Sequence, residues 1–185
     1  MAHGVRAPAS PRTVTVRDTV IRSEEPGDRN GVRLVNQAAF GGPAEANLVA
    51  ALHRCGAALV ALVAAVNDEV VGHIVFSPVS VEPASTRRVV GLGPMAVAPA
   101  FQRRGIGTLL VHEGLERCRA DGADAVVVLG HAGYYPRFGF QPAYESGLRC
   151  EYDAPRDVFM VLELAPGSLR DVSGLVRYHD AFREL

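Results

Sequence analysis

The run Gln102-Arg103-Arg104-Gly105-Ile106-Gly107-Thr108 has the residue types and spacing needed to hold a pyrophosphate. Glycines at the mouth of a helix let backbone N–H groups approach an anion with no side chain in the way. The helix dipole and two adjacent arginines add positive potential at the same place. Two familiar phosphate loops do not fit. The Walker loop ends in Gly-Lys-Ser/Thr, and this chain has no lysine; all 19 of its Lys/Arg positions are arginine. The dinucleotide fingerprint G-x-G-x-x-G would need a glycine where Leu110 stands. A bare Gly-x-Gly more often shapes a turn than binds a ligand. The weight therefore rests on the full pattern, Q-x-x-G-x-G directly after a strand-like run.

That loop needs a strand before it and a helix after it, and both are legible. Upstream, Val89 to Val97 is apolar and strand-compatible, closed by Ala98-Pro99. Downstream, Leu110, Val111, Gly114, Leu115 and Cys118 fall on one arc of a helix from Gly105 to Asp121, with Gly122 as its stop. Ala125 to Leu129 has no polar alternation and reads as a buried central strand. Earlier in the chain, Thr13 to Arg17 alternates like a first strand. Asp28 and Asn30 are plausible caps for a helix to about Phe40, with Val32, Val35 and Ala39 on one face. Gly41-Gly42-Pro43 separates it from a second helix, Ala44 to Arg54. Leu59–Val66 and Val70–Val79 flank Asn67-Asp68-Glu69, a hairpin signal without the usual glycine. After Leu129 come a short helix around Tyr134–Phe138, a strand from Phe140 onward and a last one over Val158–Leu164. Met1 to Pro11 reads as a disordered leader, residues 12–165 as one domain and 166–185 as a tail. Helical character is expected in Val176–Phe182.

Composition narrows the partners. A chain of 185 residues suits one domain with a sizeable core. Net charge of −1 argues against a polyanion-binding surface and hence against nucleic acid. Cys55, Cys118 and Cys150 are widely spaced, with no C-x-x-C pair, so neither a zinc site nor any other metal centre is expected. Unpaired thiols and the lack of a long apolar run fit a cytoplasmic protein away from membranes.

The segment from Leu92 to about Gln141 resembles the core of the GCN5-related N-acetyltransferase superfamily, whose acyl-CoA motif reads Q/R-x-x-G-x-G/A. A bacterial subgroup of predicted N-acetyltransferases shares Gly93-Pro94-Met95-Ala96-Val97 and Gly130-His131-Ala132-Gly133-Tyr134-Tyr135-Pro136-Arg137-Phe138-Gly139-Phe140. The element order matches that family's α+β fold: a mixed, mostly antiparallel sheet flanked by helices, with two central strands splayed apart. The resemblance implies acetyl-CoA as cosubstrate, lying along Met95, Ala96 and Val97, with Gln102 to Thr108 as its binding loop and the amides of Arg103 to Thr108 on its pyrophosphate. It implies Tyr135, in a Y-x-x-x-G-F pattern, as the acid that protonates the departing thiolate. A phenol titrates near ~10 and suits that task. Tyr134 is expected to point roughly 100° away on a helix.

The base is open. Members of the family place a glutamate on the strand before the loop, where this chain has Gly93, Pro94 and Met95. Relatives carry asparagine where this chain has His131. A histidine there takes a proton directly or through water, or ties the loop down by a backbone hydrogen bond. His73 reads as a satisfied strand histidine. Glu45 and Glu151 are candidates for substrate contact. The implied reaction is acetyl transfer to a primary amine by direct attack in a ternary complex, since no cysteine sits in the motifs to form an acyl-enzyme. The alternative is a non-catalytic acyl-CoA sensor, which would need no acid at Tyr135. Leu175, Val176, Tyr178 and Phe182 are expected to dock on the core or, in a homodimer, on a second copy.

Overall fold

A computed structural model describes residues 18–170 and 172–184. The strand expected at Thr13–Arg17 lies outside them. The first described strand is β1 (Thr19–Ser23), followed by helices α1 (Arg29–Phe40) and α2 (Ala44–Arg54). Gly41 closes α1 in the left-handed region (φ 78°), its N–H returning to the Gln37 carbonyl.

The hairpin then forms without glycine. Asn67 and Asp68 both take positive φ, 49° and 65°. Asn and Asp tolerate that region better than other side chains, and the pairing of two positive angles gives a turn whose twist suits the strands it joins. Those strands are β2 (Val60–Val66) and β3 (Glu69–Glu82), antiparallel, with Val66 opposite Glu69. Next come β4 (Val89–Val97), α3 (Ile106–Ala120) and β5 (Ala125–Leu129). A 3-10 turn covers Tyr135–Phe138, and short strands β6 (Gln141–Pro142), β7 (Leu148–Cys150) and β8 (Phe159–Glu163) follow.

The last strand corrects the sequence reading. Gly174–Tyr178, expected to be partly helical, is β9, and only Asp180–Glu184 beyond it coils into a 3-10 turn. Its alternating burial explains why: Gly174, Val176 and Tyr178 face inward while Leu175 and Arg177 face outward. The tail docks on its own chain. Strand β9 pairs with the far half of β3, Val79 opposite Tyr178, and in parallel with β7.

The sheet runs β1-β2-β3-β4-β5-β8-β6, with β9 and β7 branching from β3. Among the described pairings only β4–β5 and β7–β9 are parallel. The β4–β5 ladder holds from Val89 opposite Ala125 to Leu92 opposite Val128 and then stops, although β4 continues to Val97. At the same point the register between β3 and β4 slips between Ile74 and Phe76, a bulge that falls at Gly93-Pro94. Pro94 brings no N–H to either neighbour. The two central strands therefore part, as the resemblance implied, and the β5-facing edge of Gly93–Val97 is left outside that ladder.

Helices fix this opening from both faces. On one side Ile106, Leu110, Val111 and Leu115 of α3 bury against Val71, Ile74 and Phe76. Each such side chain contributes ~1.5–3 kcal/mol of burial. Gly114 is what lets α3 come so close: a Cβ there would lie 2.4 Å from the Phe76 ring. On the other side Val32, Leu48 and Leu52 of α1 and α2 cover Val63 and Val75. Under these helices Glu24 accepts hydrogen bonds from His53 (2.9 Å) and His73 (3.1 Å). His73 Nδ1 in turn faces the Asn36 amide nitrogen at 3.3 Å. His73 is thus a satisfied core histidine, as its position inside a strand implied.

Candidate active site

The glycine loop is built by backbone conformations that its sequence selects. Pro99–Phe101 makes a 3-10 turn after β4; Arg103 then takes φ 58° and Gly105 φ 85°, and α3 starts at Ile106. A left-handed residue immediately before a helix is where glycine costs least. The Gln102 side chain donates from Nε2 to the Val97 carbonyl at 3.0 Å, tying the loop to the end of β4. The first-turn amides of Ile106, Gly107 and Thr108 have no acceptor within the helix and sit at its positive end.

A cleft of about 1250 Å³ opens over these amides and continues between the parted strands. Met95, Ala96, Val97, Gln102, Arg103, Gly105, Ile106, Gly107 and Thr108 line one flank, and His131, Tyr134 and Tyr135 the other. Of the residues expected to hold the cosubstrate or act on it, Arg104 alone is not on that wall. Its guanidinium lies 5.6 Å from the centre of the Phe101 ring. The two arginines thus divide, Arg103 toward the cleft and Arg104 onto an aromatic face.

Both tyrosines reach the cleft, which corrects the helical spacing argument. The 3-10 turn begins at Tyr135, so Tyr134 precedes it and a fixed rotation per residue does not apply. The Tyr134 hydroxyl bonds to Thr108, and the Arg137 guanidinium stacks 4.7 Å over its ring. Tyr135 is 7% exposed. Its ring meets Phe140 at 5.6 Å and Tyr134 edge-on at 5.2 Å, and it fills the space a side chain at Gly130 would take. Burial pushes the Tyr135 phenol well above its usual range, with Tyr134 adding to the effect. Tyr135 is therefore protonated across the neutral range.

The His131 carbonyl accepts from the N–H of Tyr134 at 2.9 Å and of Tyr135 at 3.4 Å, while its side chain is exposed on the cleft wall. Its backbone holds the turn, and its imidazole is available to the cleft. Glu45, named from the sequence, lines the cleft. Glu151 instead accepts the Tyr178 N–H at 2.5 Å and lies 3.7 Å from Arg177, bracing β9.

Sequence reasoning missed the wall facing α1 and α2. Phe40, Leu48, Tyr152, Tyr178, Phe182 and Arg183 all line the cleft. The signal was present in Gly174-Leu175-Val176-Arg177-Tyr178, whose alternation is a strand period. Among the described residues no group of His, Cys, Asp or Glu could hold a metal ion, and no helix is long and apolar enough to cross a membrane.

An open strand edge leading to a glycine-gated helix terminus defines a class of acyl-CoA-binding enzymes, and comparison with known proteins agrees. Residues 32–140 match the acetyltransferase (GNAT) family. The chain is 38% identical over 164 residues to the N-acetyltransferase YhbS of Escherichia coli K12, covering 88% of this chain and 98% of that one. The crystal structure of E. coli YhbS in complex with CoA superposes with TM-score 0.86 at 35% identity, covering 97% and 96% of the two chains. A GNAT family acetyltransferase from Brucella melitensis, in complex with acetyl-CoA, gives TM-score 0.75 at 39% identity over 89% and 97%. The chain belongs to the GNAT family of acetyltransferases.

Proposed function

We propose that the cleft transfers an acetyl group from acetyl-CoA to a primary amine by direct attack within a ternary complex. The observation that carries this is the edge of Gly93–Val97, which leaves the β4–β5 ladder and leads to the amides of the glycine loop. An extended pantetheine arm would add to that edge as a strand adds to a sheet. That the E. coli relative was crystallised with CoA and the Brucella relative with acetyl-CoA supports the same donor here.

The chain's own residues then have separable tasks. Backbone amides from Arg103 to Thr108, with the Arg103 side chain, take the pyrophosphate charge. Met95, Ala96 and Val97 align the arm. The amine nitrogen attacks the thioester carbon; a C–N bond forms and the C–S bond breaks. The nitrogen's surplus proton leaves to His131 or to water, and Tyr135 gives its proton to the departing sulfur, recovering one from solvent. Products are the N-acetyl amine and free CoA thiol. We place the enzyme in the cytoplasm, a setting that suits its three unpaired cysteines.

The test is acetyl-CoA turnover with a mixed amine panel, read as thiol release, for the native chain and Tyr135→Phe. Amine-dependent release that falls about 100-fold in the variant supports the assignment. Acetyl-CoA raising the melting temperature with no release for any amine would favour the sensor reading instead.

A further inference from the structure

The donor and acceptor ends of the cleft differ in chemistry. The glycine loop and α3 lie on one face of the sheet. The opposite face is walled by side chains from α1, α2, β5 and the C-terminal third. Several are large, apolar and unusually exposed: Phe40 is 44% accessible, Leu129 41% and Tyr152 36%. Grouped on one wall, they form a surface that gains from being covered. Leu48 and Phe182 extend it.

Charge on that wall is sparse. Among the described residues lining the cleft, Glu45 is the one carboxylate. It stands half-buried in the first turn of α2, and no described residue hydrogen-bonds or ion-pairs with it. The cationic residues of the cleft have other work. Arg103 belongs to the glycine loop, Arg137 stacks on Tyr134, and Arg183 lies 3.1 Å from Asp180. A polycation would therefore find one acid and several arginines. A carboxylate-bearing acceptor would find its nearest arginine already paired.

We infer that the acceptor is a monoamine carried on a flat apolar body, with the apolar wall taking the body and Glu45 the ammonium as it enters. An unpartnered carboxylate at the rim of an apolar surface raises the local concentration of a single cation without binding a second. This inference rests on the N-acetyltransferase reading and adds the acceptor class to it.

The experiment compares phenethylamine, phenylalanine and spermidine as acceptors for the native chain and for Glu45→Gln, with acetyl-CoA binding followed separately as a rise in melting temperature. Phenethylamine is expected to be acetylated with the highest kcat/KM of the three. Glu45→Gln is expected to raise its KM about fivefold while leaving the KM for acetyl-CoA unchanged. Preference for spermidine or phenylalanine overturns the inference, and so does a Glu45→Gln enzyme with unaltered phenethylamine KM. Acetyl-CoA binding with no turnover of phenethylamine also overturns it and leaves the donor site standing. Absence of acetyl-CoA binding removes the donor site, and the acceptor inference falls with it.

Discussion

The Tyr134 hydroxyl stands 2.7 Å from the point where a side chain at Gly107 would begin. A residue on the β5 side thereby rests on the first turn of α3, held there by its bond to Thr108. The two flanks of the cleft touch through this pair, so the width of the donor channel depends on position 107 having no side chain. Gly107→Ala should displace the phenol and set a methyl group over the helix amides. We expect acetyl-CoA affinity to fall about tenfold by titration calorimetry, and less in Tyr134→Phe, which loses the hydrogen bond but keeps the space. Unchanged affinity in Gly107→Ala would remove the glycine from the donor site.

The Gln102–Val97 hydrogen bond joins the loop to the strand it follows. Gln102→Ala removes one side-chain bond worth about 1 kcal/mol. The melting temperature should drop by about 2–4 °C, with weaker acetyl-CoA binding, because the loop's left-handed turn at Arg103 is then less firmly held.

Gly114 and Phe76 are in such close approach that a methyl group cannot be added without moving one element. Gly114→Ala should cost about 1–3 kcal/mol by urea denaturation despite alanine's better helix propensity. Adding Phe76→Leu to that variant should recover part of the loss. A stabilised Gly114→Ala protein would mean α3 can shift freely.

Acid sensitivity should be traceable to Glu24. Burial pushes its carboxyl up, but the hydrogen bonds from His53 and His73 outweigh this and hold it at about 2, against an ordinary 4.5. A carboxyl depressed in the fold contributes stability that is complete above its unfolded value and is lost as pH falls toward the folded one. The chain should therefore lose stability between about pH 4.5 and 2, and Glu24→Gln should flatten that slope in denaturant titrations. At neutral pH, Glu24→Ala should cost about 1–3 kcal/mol, because the buried His73 ring nitrogen loses its hydrogen-bond acceptor.

Tyr178 carries a buried hydroxyl with no partner among the described residues. Tyr178→Phe keeps the ring against Phe182 and Gly91 while removing an unsatisfied group. Its melting temperature should equal or exceed that of the native chain.

The glycine loop was readable because backbone geometry there constrains residue choice. Glycine costs least at the φ of 85° found at Gly105, and a side chain at Gly107 would meet the Tyr134 hydroxyl. The hairpin was readable for the same reason, at Asn67-Asp68. What failed depended on contacts distant in sequence. Strand β9 pairs with residues of β3 about a hundred positions earlier, so nothing local announced a partner, and its short apolar run passed for a helix. The helical spacing argument failed for Tyr134 because that residue precedes the 3-10 turn at Tyr135–Phe138 and lies in no helix. Whether His131 serves by its backbone or its ring was open in the sequence; its carbonyl has a definite task in the turn, and its imidazole is left for substrate or solvent.

The cleft is coded in two instalments. The donor site proposed above lies in one short stretch before and after Gln102, with the Tyr134–Tyr135 turn behind it. The acceptor wall proposed above draws on α1, α2, the end of β5, Tyr152, and β9 with the turn that follows it. On that proposal, a change at Tyr178, Phe182 or Arg183 should alter which amine is acetylated while acetyl-CoA binding is kept. Acceptor choice and acetyl supply would then be encoded in separate parts of the sequence, each able to change without the other.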